Sequence, residues 1–371
     1  MTAAAEVLTP RQLNRTLLAR QLLLERSSLS ASAAVEQLVG LQAQTSNAPY
    51  IGLWTRLRAF QRQDLSDLLQ QRQAVRATLM RSTLHIFTAR DYLELRTTLQ
   101  PALTRALGAF FGQRTKGLDI EQLVAAARDY IEEKPRTFTE IRALLTGLVP
   151  EGDPEAMAYV VRTHLPLVQV PPGGFWGSAG SPAHATATSW LGQPLNAEEK
   201  LANLTRRYLA AFGPASVQDL QAWSGLTRLQ GAVEKLKTAL RVYRSQQGQE
   251  LFDLPDQSLP SAEVEAPPRF LPEYDNLILS HSNRERVVPE TYRSRVYLSA
   301  GRVRATFLLD GFVSGTWKTE KSGKNATLNI EPFQPLSAGN QLALEEEGAR
   351  LLRFIFDNTE TYNINIHHPP S

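Results

Sequence analysis

Apolar positions along the chain follow helical spacing in some stretches and strand-like alternation in others. Near the start, Leu13 and Leu17 recur at helical spacing. Thr9 and Pro10 precede them, and these residue types suit the N-cap and the first helical position. The pattern therefore predicts a helix beginning at Pro10, then further short helices, and a strand over 83–87.

The same order of elements recurs along the first two thirds of the chain. Each copy has a helix, a short helix, a helix and a β element, at a spacing of roughly 90 residues. The third copy is the clearest, because a helix over 197–212 is followed by two more helices and by strands over 240–244 and 250–254. This order is typical of a helix-turn-helix with a β-hairpin wing. The sequence therefore predicts an α+β fold with three tandem winged-helix units, over 1–115, 116–196 and 197–257.

The last part of the chain has a different pattern. Four prolines over 255–268 indicate a linker. Strand-like alternation then lies on both sides of Asp310 and Gly311, and Asp-Gly is a strong hairpin signal. A helical pattern over 339–358 follows. Residues 258–371 are therefore predicted to form a β-rich element with a hairpin and a terminal helix.

Composition narrows the chemistry that the chain can carry. It contains no cysteine, so disulfides, thiolate zinc sites and iron–sulfur clusters are excluded. No apolar run is long enough to span a membrane, and the chain shows no secretory signal. We therefore expect a cytoplasmic protein without a membrane partner. No motif typical of a metal site or a phosphate-binding loop is present, and we expect neither a metal nor a cofactor.

The formal net charge is only +3, but it is unevenly distributed. Residues 1–115 carry 14 Arg and 7 Asp or Glu, and residues 283–324 carry 9 Arg or Lys and 4 Asp or Glu. Two basic regions in a nearly neutral chain indicate a local footprint for a polyanion such as nucleic acid. A solvated arginine-rich surface gives the same pattern, so charge alone leaves both interpretations open.

Two glutamines near the end of the second predicted helix form a distinctive polar pattern. Gln42 and Gln44 are separated by one small apolar residue, Ala43. Taken alone, the pair is better explained as the polar end of a helix that satisfies its own backbone groups.

Four stretches spread over the chain resemble a known family. They cover 38–56, 81–85, 271–281 and 309–317. In sequence and in order they resemble the winged-helix family that contains the AlkZ-type bacterial DNA glycosylases. The resemblance implies three tandem winged-helix motifs followed by a β-rich element, in agreement with the repeats predicted above.

The resemblance also implies a catalytic motif of Gln, an apolar residue and Gln, which Gln42, Ala43 and Gln44 match. A related branch of the family has Asp at the second Gln position, and this chain does not. The implied branch is the one tied to self-resistance in producers of DNA-alkylating antibiotics, which acts on bulky purine adducts, including interstrand crosslinks. The implied partner is double-stranded DNA carrying alkylated bases, and we expect a monomer.

Amide side chains suit the chemistry of an alkylated purine. A purine alkylated at N7 or N3 is cationic and leaves as a neutral base, so no general acid is needed. The enzyme must hold a water at the anomeric carbon and stabilise the developing positive charge on the sugar. We hypothesise that Gln44 positions this water and that Gln42 holds the lesion or the deoxyribose. The first lysine is Lys116, which argues against a Schiff-base lyase and for a monofunctional hydrolase.

Other residues are predicted to contact DNA or substrate. Arg56 follows the third predicted helix, where a helix-turn-helix faces DNA. Ser82 is suited to bond a phosphate, and His85 lies in an apolar strand, where a core histidine is the more common interpretation. His281 lies in a polar loop with two arginines, which favours a DNA contact. The full set of predicted contacts is Asn47, Arg56, Arg81, Ser82, His85, His281, Arg284, Arg286, Phe312, Trp317 and Lys318.

The hairpin supplies the last three of these residues. Phe312, Trp317 and Lys318 follow the Asp-Gly turn, and an aromatic and basic hairpin can enter a groove and wedge the duplex open beside a lesion. Trp317 shares a strand face with Val313, so a position in the core is the stronger alternative for that side chain.

Two other functions fit the same patterns. A non-enzymatic winged-helix regulator would explain the repeats and the basic regions, with Gln42 and Gln44 in structural roles. A regulator usually carries a dimerisation or ligand-binding domain, and neither is evident. The third interpretation is a repeat-built protein-interaction module. Its binding would be insensitive to salt, whereas phosphate contacts weaken steeply as the salt concentration rises.

Overall fold

Side-chain caps fix where many of the helices begin. In the computed structural model, which describes residues 5–367, Thr9 Oγ1 accepts a hydrogen bond from the Gln12 amide at 3.1 Å, and helix α1 (Pro10–Arg20) begins as predicted. Thr137 and Glu140 form a capping box, and a Thr followed three residues later by Glu is the sequence signature of this motif. The other helices are α2 (Ala31–Gln37), α3 (Ala48–Trp54), α4 (Arg62–Gln70), α5 (Ala89–Phe111), α6 (Ile120–Glu133), α7 (Phe138–Leu148), α8 (Pro154–His164), α9 (Ala187–Leu191), α10 (Leu201–Phe212), α11 (Val217–Ser224), α12 (Gln230–Leu236), α13 (Arg293–Val296) and α14 (Ala338–Ile355).

Mostly short strands gather into three sheets, which confirms the α+β class. The strands are β1 (Val7–Leu8), β2 (Leu41–Gln42), β3 (Ala74–Thr78), β4 (Leu84–Thr88), β5 (Arg136–Thr137), β6 (Leu167–Gln169), β7 (Ala183–Thr186), β8 (Arg241–Ser245), β9 (Glu250–Asp253), β10 (Arg269–Leu271), β11 (Thr306–Leu309), β12 (Phe312–Ser322), β13 (Asn325–Pro332) and β14 (Thr361–Ile366). The strand orders are β1-β8-β9, β2-β4-β3-β6-β7-β5 and β10-β11-β12-β13-β14.

The six-stranded sheet takes strands from both sides of residue 115. β4 pairs antiparallel with β2 and with β3, and β3 pairs with β6 from the second predicted unit. The predicted strand over 83–87 is confirmed as β4. β2, β5 and β7 were not predicted, because runs of two to four residues give too little periodicity to detect. The unit boundaries at 115, 196 and 257 stay predictions.

The longest helix, α5, was not predicted either. It spans 23 residues and continues through Pro101, although a proline in a helix interior normally argues against the helix. Its apolar face is buried, with Leu95 and Leu99 fully inaccessible, and it packs against α8 and the turn over 80–82. Burial of this face outweighs the local cost of the proline.

The third predicted unit has the clearest order of elements in the structure. α10, α11 and α12 are followed by the antiparallel pair β8 and β9. Tyr208, Phe212 and Trp223 pack against one another where α10 meets α11. This order agrees with the predicted helices and hairpin, while the tandem winged-helix arrangement of the whole chain stays a prediction.

The five-stranded sheet forms the C-terminal part and packs against α14. Asp310 and Gly311 join β11 to β12 with positive φ angles of 46° and 80°, the conformation for which Asp-Gly turns are favoured. The predicted hairpin is therefore confirmed. The predicted terminal helix is also present, but it ends at Ile355, and β14 follows it as an unpredicted strand.

Candidate active site

A tight turn brings the two glutamines to the edge of the six-stranded sheet. After α2, Gly40 has a φ of +82°, and a side chain at this position would collide with the ring of Phe87. The chain then enters β2, where Gln42 lies opposite His85 of β4. Because β2 is the outermost strand, the pair lies on a sheet edge rather than at a helix terminus.

Gln42 is the last residue of β2, and Gln44 lies in the bend that follows this strand. Gln42 is 6% exposed, whereas Gln44 is largely exposed. Gln42 Oε1 accepts a hydrogen bond from Nη2 of Arg81 at 2.6 Å, and Gln44 Oε1 accepts one from the Leu84 amide at 2.8 Å. These donors identify the two amide oxygens. The Nε2 groups remain as donors for a ligand.

The backbone of the pair is held from both sides. Asn276 Nδ2 donates to the Gly40 carbonyl at 2.6 Å, and the Gln42 amide donates to Asn276 Oδ1 at 3.3 Å. Arg76 donates to the Ala43 carbonyl from Nε at 3.1 Å and from Nη2 at 2.6 Å. Sequence reasoning missed both positioning residues. Arg76 carried a signal, namely a charged residue inside an apolar strand, and Asn276 lies in the third of the stretches that resemble the family.

Arg81 lies in a strained turn that joins β3 to β4. Arg81 and Ser82 have φ angles of 52° and 58°, a conformation that costs free energy and often persists at functional sites. The Arg81 guanidinium donates to Gln42 Oε1 and to the Trp223 carbonyl. Burial, together with the charge of Arg284, lowers the pKa of Arg81 to about 10, so Arg81 stays protonated at neutral pH. The structure thus brings Arg81 together with Gln42 and Gln44, which are all predicted site residues.

His85 lies opposite Gln42 and is fully buried. Its Nδ1 lies 2.9 Å from the Thr83 carbonyl oxygen, so we assign the proton to Nδ1, which leaves Nε2 as an acceptor. Nε2 is buried and has no hydrogen-bond partner among the residues that the structure describes. Burial and the charge of Arg81 lower the pKa of His85 to about 3. His85 therefore provides a neutral and unused acceptor beside the glutamines.

Ser82 connects this edge to the second predicted unit. Its Oγ lies 3.0 Å from the Tyr159 hydroxyl and 3.5 Å from Nη2 of Arg162, both on α8. Sequence reasoning missed these two residues, because nothing in their local spacing points to a partner about 80 positions away. A phosphate contact by Ser82 stays a prediction.

Asn47 lies close to Gln44 in the sequence and holds a neighbouring loop in place. Its Oδ1 accepts a hydrogen bond from the Gly177 amide at 2.7 Å, and the nearby Tyr50 hydroxyl donates to the Gly174 carbonyl at 3.1 Å. These two bonds hold the loop over 173–180, which contains four glycines, against the start of α3. A direct contact between Asn47 and DNA stays a prediction.

Two of the predicted DNA contacts are wrong. Arg56 has no exposed surface and forms a double ion pair with Asp275, with N···O distances of 2.7 and 2.8 Å. His281 is 3% exposed. Its Nδ1 lies 2.9 Å from Ser280 Oγ, and its Nε2 lies 3.1 Å from the Phe212 carbonyl oxygen. Because their polar groups are bonded inside the protein, neither side chain can reach a duplex in this conformation.

The Asp-Gly hairpin is also placed differently from the prediction. Asp310 forms ion pairs with Arg11 and Arg15 of α1, and a side chain at Gly311 would collide with α1. The turn is therefore docked on α1 and is not free to enter a groove. Trp317 is in the core, as its strand face allowed, since its Nε1 donates to two backbone carbonyls at 2.9 and 3.0 Å.

The remaining predicted contacts are more accessible. Lys318 is exposed, and Phe312 is half-buried. Arg284 is half-buried and stacks on the Tyr297 ring at 4.1 Å, and Arg286 donates to the Pro214 carbonyl at 2.8 Å. Contacts between these residues and DNA stay predictions.

The fold and the site together define an α+β protein with two amides, a guanidinium and a neutral imidazole at the edge of a sheet. Within residues 5–367, no helix is long and apolar enough to cross a membrane. The same residues contain no group of three or more His, Asp or Glu side chains arranged to hold a metal ion.

Comparison with known proteins gives the family. The model of the AlkZ-like DNA glycosylase family matches residues 35–354, and the chain belongs to this family. An interstrand DNA cross-link repair glycosylase from Streptomyces sahachiroi is 25% identical over 366 residues, which cover 90% of this chain and 93% of the relative. The solved structure of the DNA glycosylase AlkZ from Streptomyces sahachiroi matches with a TM-score of 0.78 and 21% identity, over 97% of this chain and all of that one.

Proposed function

We propose that this protein is a monofunctional glycosylase that hydrolyses the N-glycosidic bond of purines alkylated at N7 or N3 in double-stranded DNA. Bulky antibiotic adducts and interstrand crosslinks are the proposed substrates, and the name of the Streptomyces relative supports the crosslinks. The observation that carries the proposal is the arrangement of Gln42 and Gln44. They lie at the end of an edge strand and in the bend that follows it, with both amide oxygens fixed by N–H donors.

Gln44 is the residue that we assign to the attacking water. Its Oε1 already accepts a hydrogen bond from the Leu84 amide, but a carbonyl oxygen has a second lone pair that can accept one from water. The exposed side chain leaves space for this water under a bound duplex. An amide is a poor base, so Gln44 contributes by orienting the water at the anomeric carbon and by directing its carbonyl dipole at the developing charge.

Gln42 has a different part in the proposal. Because Arg81 occupies its Oε1, the side chain meets the substrate through its Nε2 donor. A donor suits an oxygen of the deoxyribose or of the lesion, which is the role that we assign to Gln42. Arg81 is a positioning residue, since it acts on the substrate through Gln42.

His85 supplies a second acceptor near the water. A neutral imidazole with a free Nε2 lone pair can accept the second hydrogen of the water or an amino group of the lesion. Its low pKa keeps it neutral over the physiological range. Protonation of the leaving group is not needed, because the cationic purine leaves as a neutral base.

The proposed reaction ends in an abasic site without strand cleavage. A Schiff-base lyase needs a lysine at the anomeric carbon, and the first lysine in the chain is Lys116, far along the chain from the glutamines. We propose that the protein acts as a monomer in the cytoplasm. The open edge strand suits a crosslinked base, which cannot be fully extruded while it is bonded to the other strand.

An excision assay tests the proposal. A duplex carrying a single N7-alkylguanine is incubated with the wild type and with Gln42→Ala/Gln44→Ala, and heat- or alkali-labile abasic sites are counted on a gel. We expect the double variant to lose at least about 10²-fold in rate, as when positioned polar groups are removed from other active sites. Gln70→Ala/Gln71→Ala, two exposed glutamines at the end of α4, is the matched control.

The alternatives give different results in the same experiment. Tight and salt-sensitive DNA binding, with no excision of any alkylpurine by the wild type, would indicate a winged-helix regulator. Binding that does not change with salt would indicate a protein-interaction module. Equal excision by the wild type and the double variant would remove the glutamines from the active site.

A further inference from the structure

A cavity that the proposed reaction does not use lies beside the glutamine edge. It has a volume of about 320 Å³ and lies between α5, α7, α8 and the strands β3 and β4. Leu84 lines it, and the amide of Leu84 is the group that holds Gln44. Tyr159 and Arg162, which contact Ser82, form another part of its wall. The cavity therefore begins next to the residues that we assign to the reaction.

A second cavity adjoins the first one. It has a volume of about 370 Å³ and is lined by Gln44 itself. The two cavities share Arg76, Ser181 and Pro182 in their walls. The first cavity therefore adjoins the one that Gln44 lines, and Arg76 lies in the wall of both.

The walls of the first cavity combine aromatic rings with guanidinium groups. Phe111, Phe138 and Tyr159 supply the rings, and the guanidinium of Arg162 stacks over Tyr159 at 4.1 Å. Aromatic and cationic faces together favour a planar, electron-rich ligand.

The cavity has more donors than acceptors. Arg76 and Arg96 donate only to neutral acceptors in the part of the chain that the structure describes. Glu155 is the one carboxylate among the lining residues, and it already pairs with Arg142 at 3.3 Å. The buried Nε of Arg162 and the buried Nδ1 of His184 have no hydrogen-bond partner among the described residues. Buried polar groups are normally bonded, and the Nε–H of Arg162 can only donate, so this part of the wall lacks an acceptor oxygen.

The same inventory argues against an extruded guanine as the occupant. The Watson–Crick edge of guanine presents two N–H donor groups as well as its O6 acceptor. A guanine would therefore compete with Arg142 for Glu155, the one carboxylate of the wall. An aromatic group with carbonyl, carboxylate or hydroxyl oxygens matches both the rings and the surplus donors.

We propose that this cavity binds the substituent carried by the alkylated purine, and that it selects an aromatic substituent bearing acceptor oxygens. The proposal rests on the glycosylase function argued above and gives it a substrate class. The base and sugar stay at Gln42 and Gln44, while the substituent fills the cavity. The cavity thus makes bulky adducts better substrates than methylated bases.

Three duplexes test this proposal under single-turnover conditions. They carry N7-methylguanine, N7-benzylguanine or N7-(4-carboxybenzyl)guanine, and the maximal excision rate and the half-saturating enzyme concentration are measured for each. For the wild type we expect the half-saturating concentration to fall from methyl to benzyl to carboxybenzyl. The carboxylate should account for roughly tenfold, the size of one charge-assisted hydrogen bond.

Two variants locate the effect in the cavity. Ala158→Phe, on the α8 wall, fills the cavity and should abolish the advantage of both benzyl adducts while leaving N7-methylguanine excision unchanged. Arg142→Met removes one guanidinium and leaves Glu155 unpaired in the wall, where it repels a ligand carboxylate. This variant should therefore abolish only the advantage of the carboxybenzyl adduct. Arg128→Met, an exposed arginine on α6, is the control of equal charge.

Each other outcome has a distinct meaning. Benzyl adducts processed by Ala158→Phe as by the wild type overturn the cavity assignment. An equal loss on all three duplexes in Arg142→Met and Ala158→Phe would mean that these residues serve the base or the fold. If the wild type excises N7-methylguanine but gains nothing from either benzyl group, the inference fails and the proposed glycosylase stands. If the wild type excises none of the three bases, both fail.

Discussion

Two short segments meet at the active site, and they use their polar groups in opposite ways. In the segment over 271–281, Asp275 pairs with Arg56, Asn276 bonds the backbone around Gln42, and both ring nitrogens of His281 have partners. In the segment over 81–85, Ser82 and His85 are buried and the other residues are half-buried, and the side chain of His85 is less completely bonded than that of His281.

The difference is clearest for the two histidines. Both are buried, and burial lowers the pKa of both to about 3. His281 is bonded at Nδ1 and at Nε2, whereas Nε2 of His85 has no partner in residues 5–367. A fully bonded polar residue serves the fold, and an incompletely bonded one beside a site is free to meet a ligand. Exposure alone would not separate the two.

The largest expected effect concerns the segment that serves the fold. Asp275→Ala leaves the guanidinium of Arg56 buried without its carboxylate, so we expect the free energy of unfolding to fall by about 3–5 kcal/mol. Urea denaturation measures this change. Asp256→Ala, at an exposed aspartate of the linker, is the control. A loss below about 1 kcal/mol, the size of a surface pair, would contradict the structural role of the ion pair.

The same substitution at both histidines gives the sharpest comparison. His85→Leu removes an acceptor that has no partner in the fold, so the excision rate should fall by about 10²-fold with little change in stability. His281→Leu removes the bond to Ser280 and leaves the Phe212 carbonyl without its side-chain partner, so it should lower the free energy of unfolding by about 1–3 kcal/mol with excision retained. The measurements are the excision rate and the urea midpoint of each variant. If the two variants lost the same amount of activity and of stability, the two histidines would not differ in role.

A smaller effect is expected at Arg81. Its planar guanidinium bonds Gln42 and the Trp223 carbonyl at once, and the single ammonium of lysine cannot reproduce this fork. Arg81→Lys should lower the maximal excision rate roughly tenfold, with the half-saturating enzyme concentration unchanged. In a Gln42→Ala background it should have no further effect, because a positioning residue acts only through its partner. Independent losses in the double variant would show that Arg81 acts directly or through the fold.

Local signals in the sequence predicted the elements that depend on local chemistry. The cap of α1, the capping box of α7 and the Asp-Gly hairpin each follow from a few adjacent residues. The glutamine pair was found through its resemblance to the family, since its spacing alone favoured a structural explanation. α5 was missed because its proline argues locally against a helix that tertiary packing stabilises.

The contacts that build the site could not be predicted, because they join distant parts of the chain. Asn276 lies 234 positions from Gln42, and Asp275 lies 219 positions from Arg56. Arg56 was predicted to contact DNA because of its place at the third predicted helix, where a helix-turn-helix faces the duplex. No periodicity in the sequence identifies a partner at such a distance. The assignment of Arg56 and His281 to the core therefore required the three-dimensional arrangement.

The smallest expected effect tests the protonation state of His85. Its pKa in the folded protein is about 3, below the ordinary value of 6.5, so below pH 6.5 the unfolded chain binds a proton that the folded protein does not. Stability is therefore lost as the pH falls from 6.5 towards 3, and His85 alone should account for about 1 kcal/mol between pH 6.5 and 5.5. His85→Leu should show a pH dependence that is shallower by this amount in urea denaturation. An unchanged slope would mean that folded His85 binds a proton in this range, and a protonated imidazole could not accept the hydrogen of the attacking water.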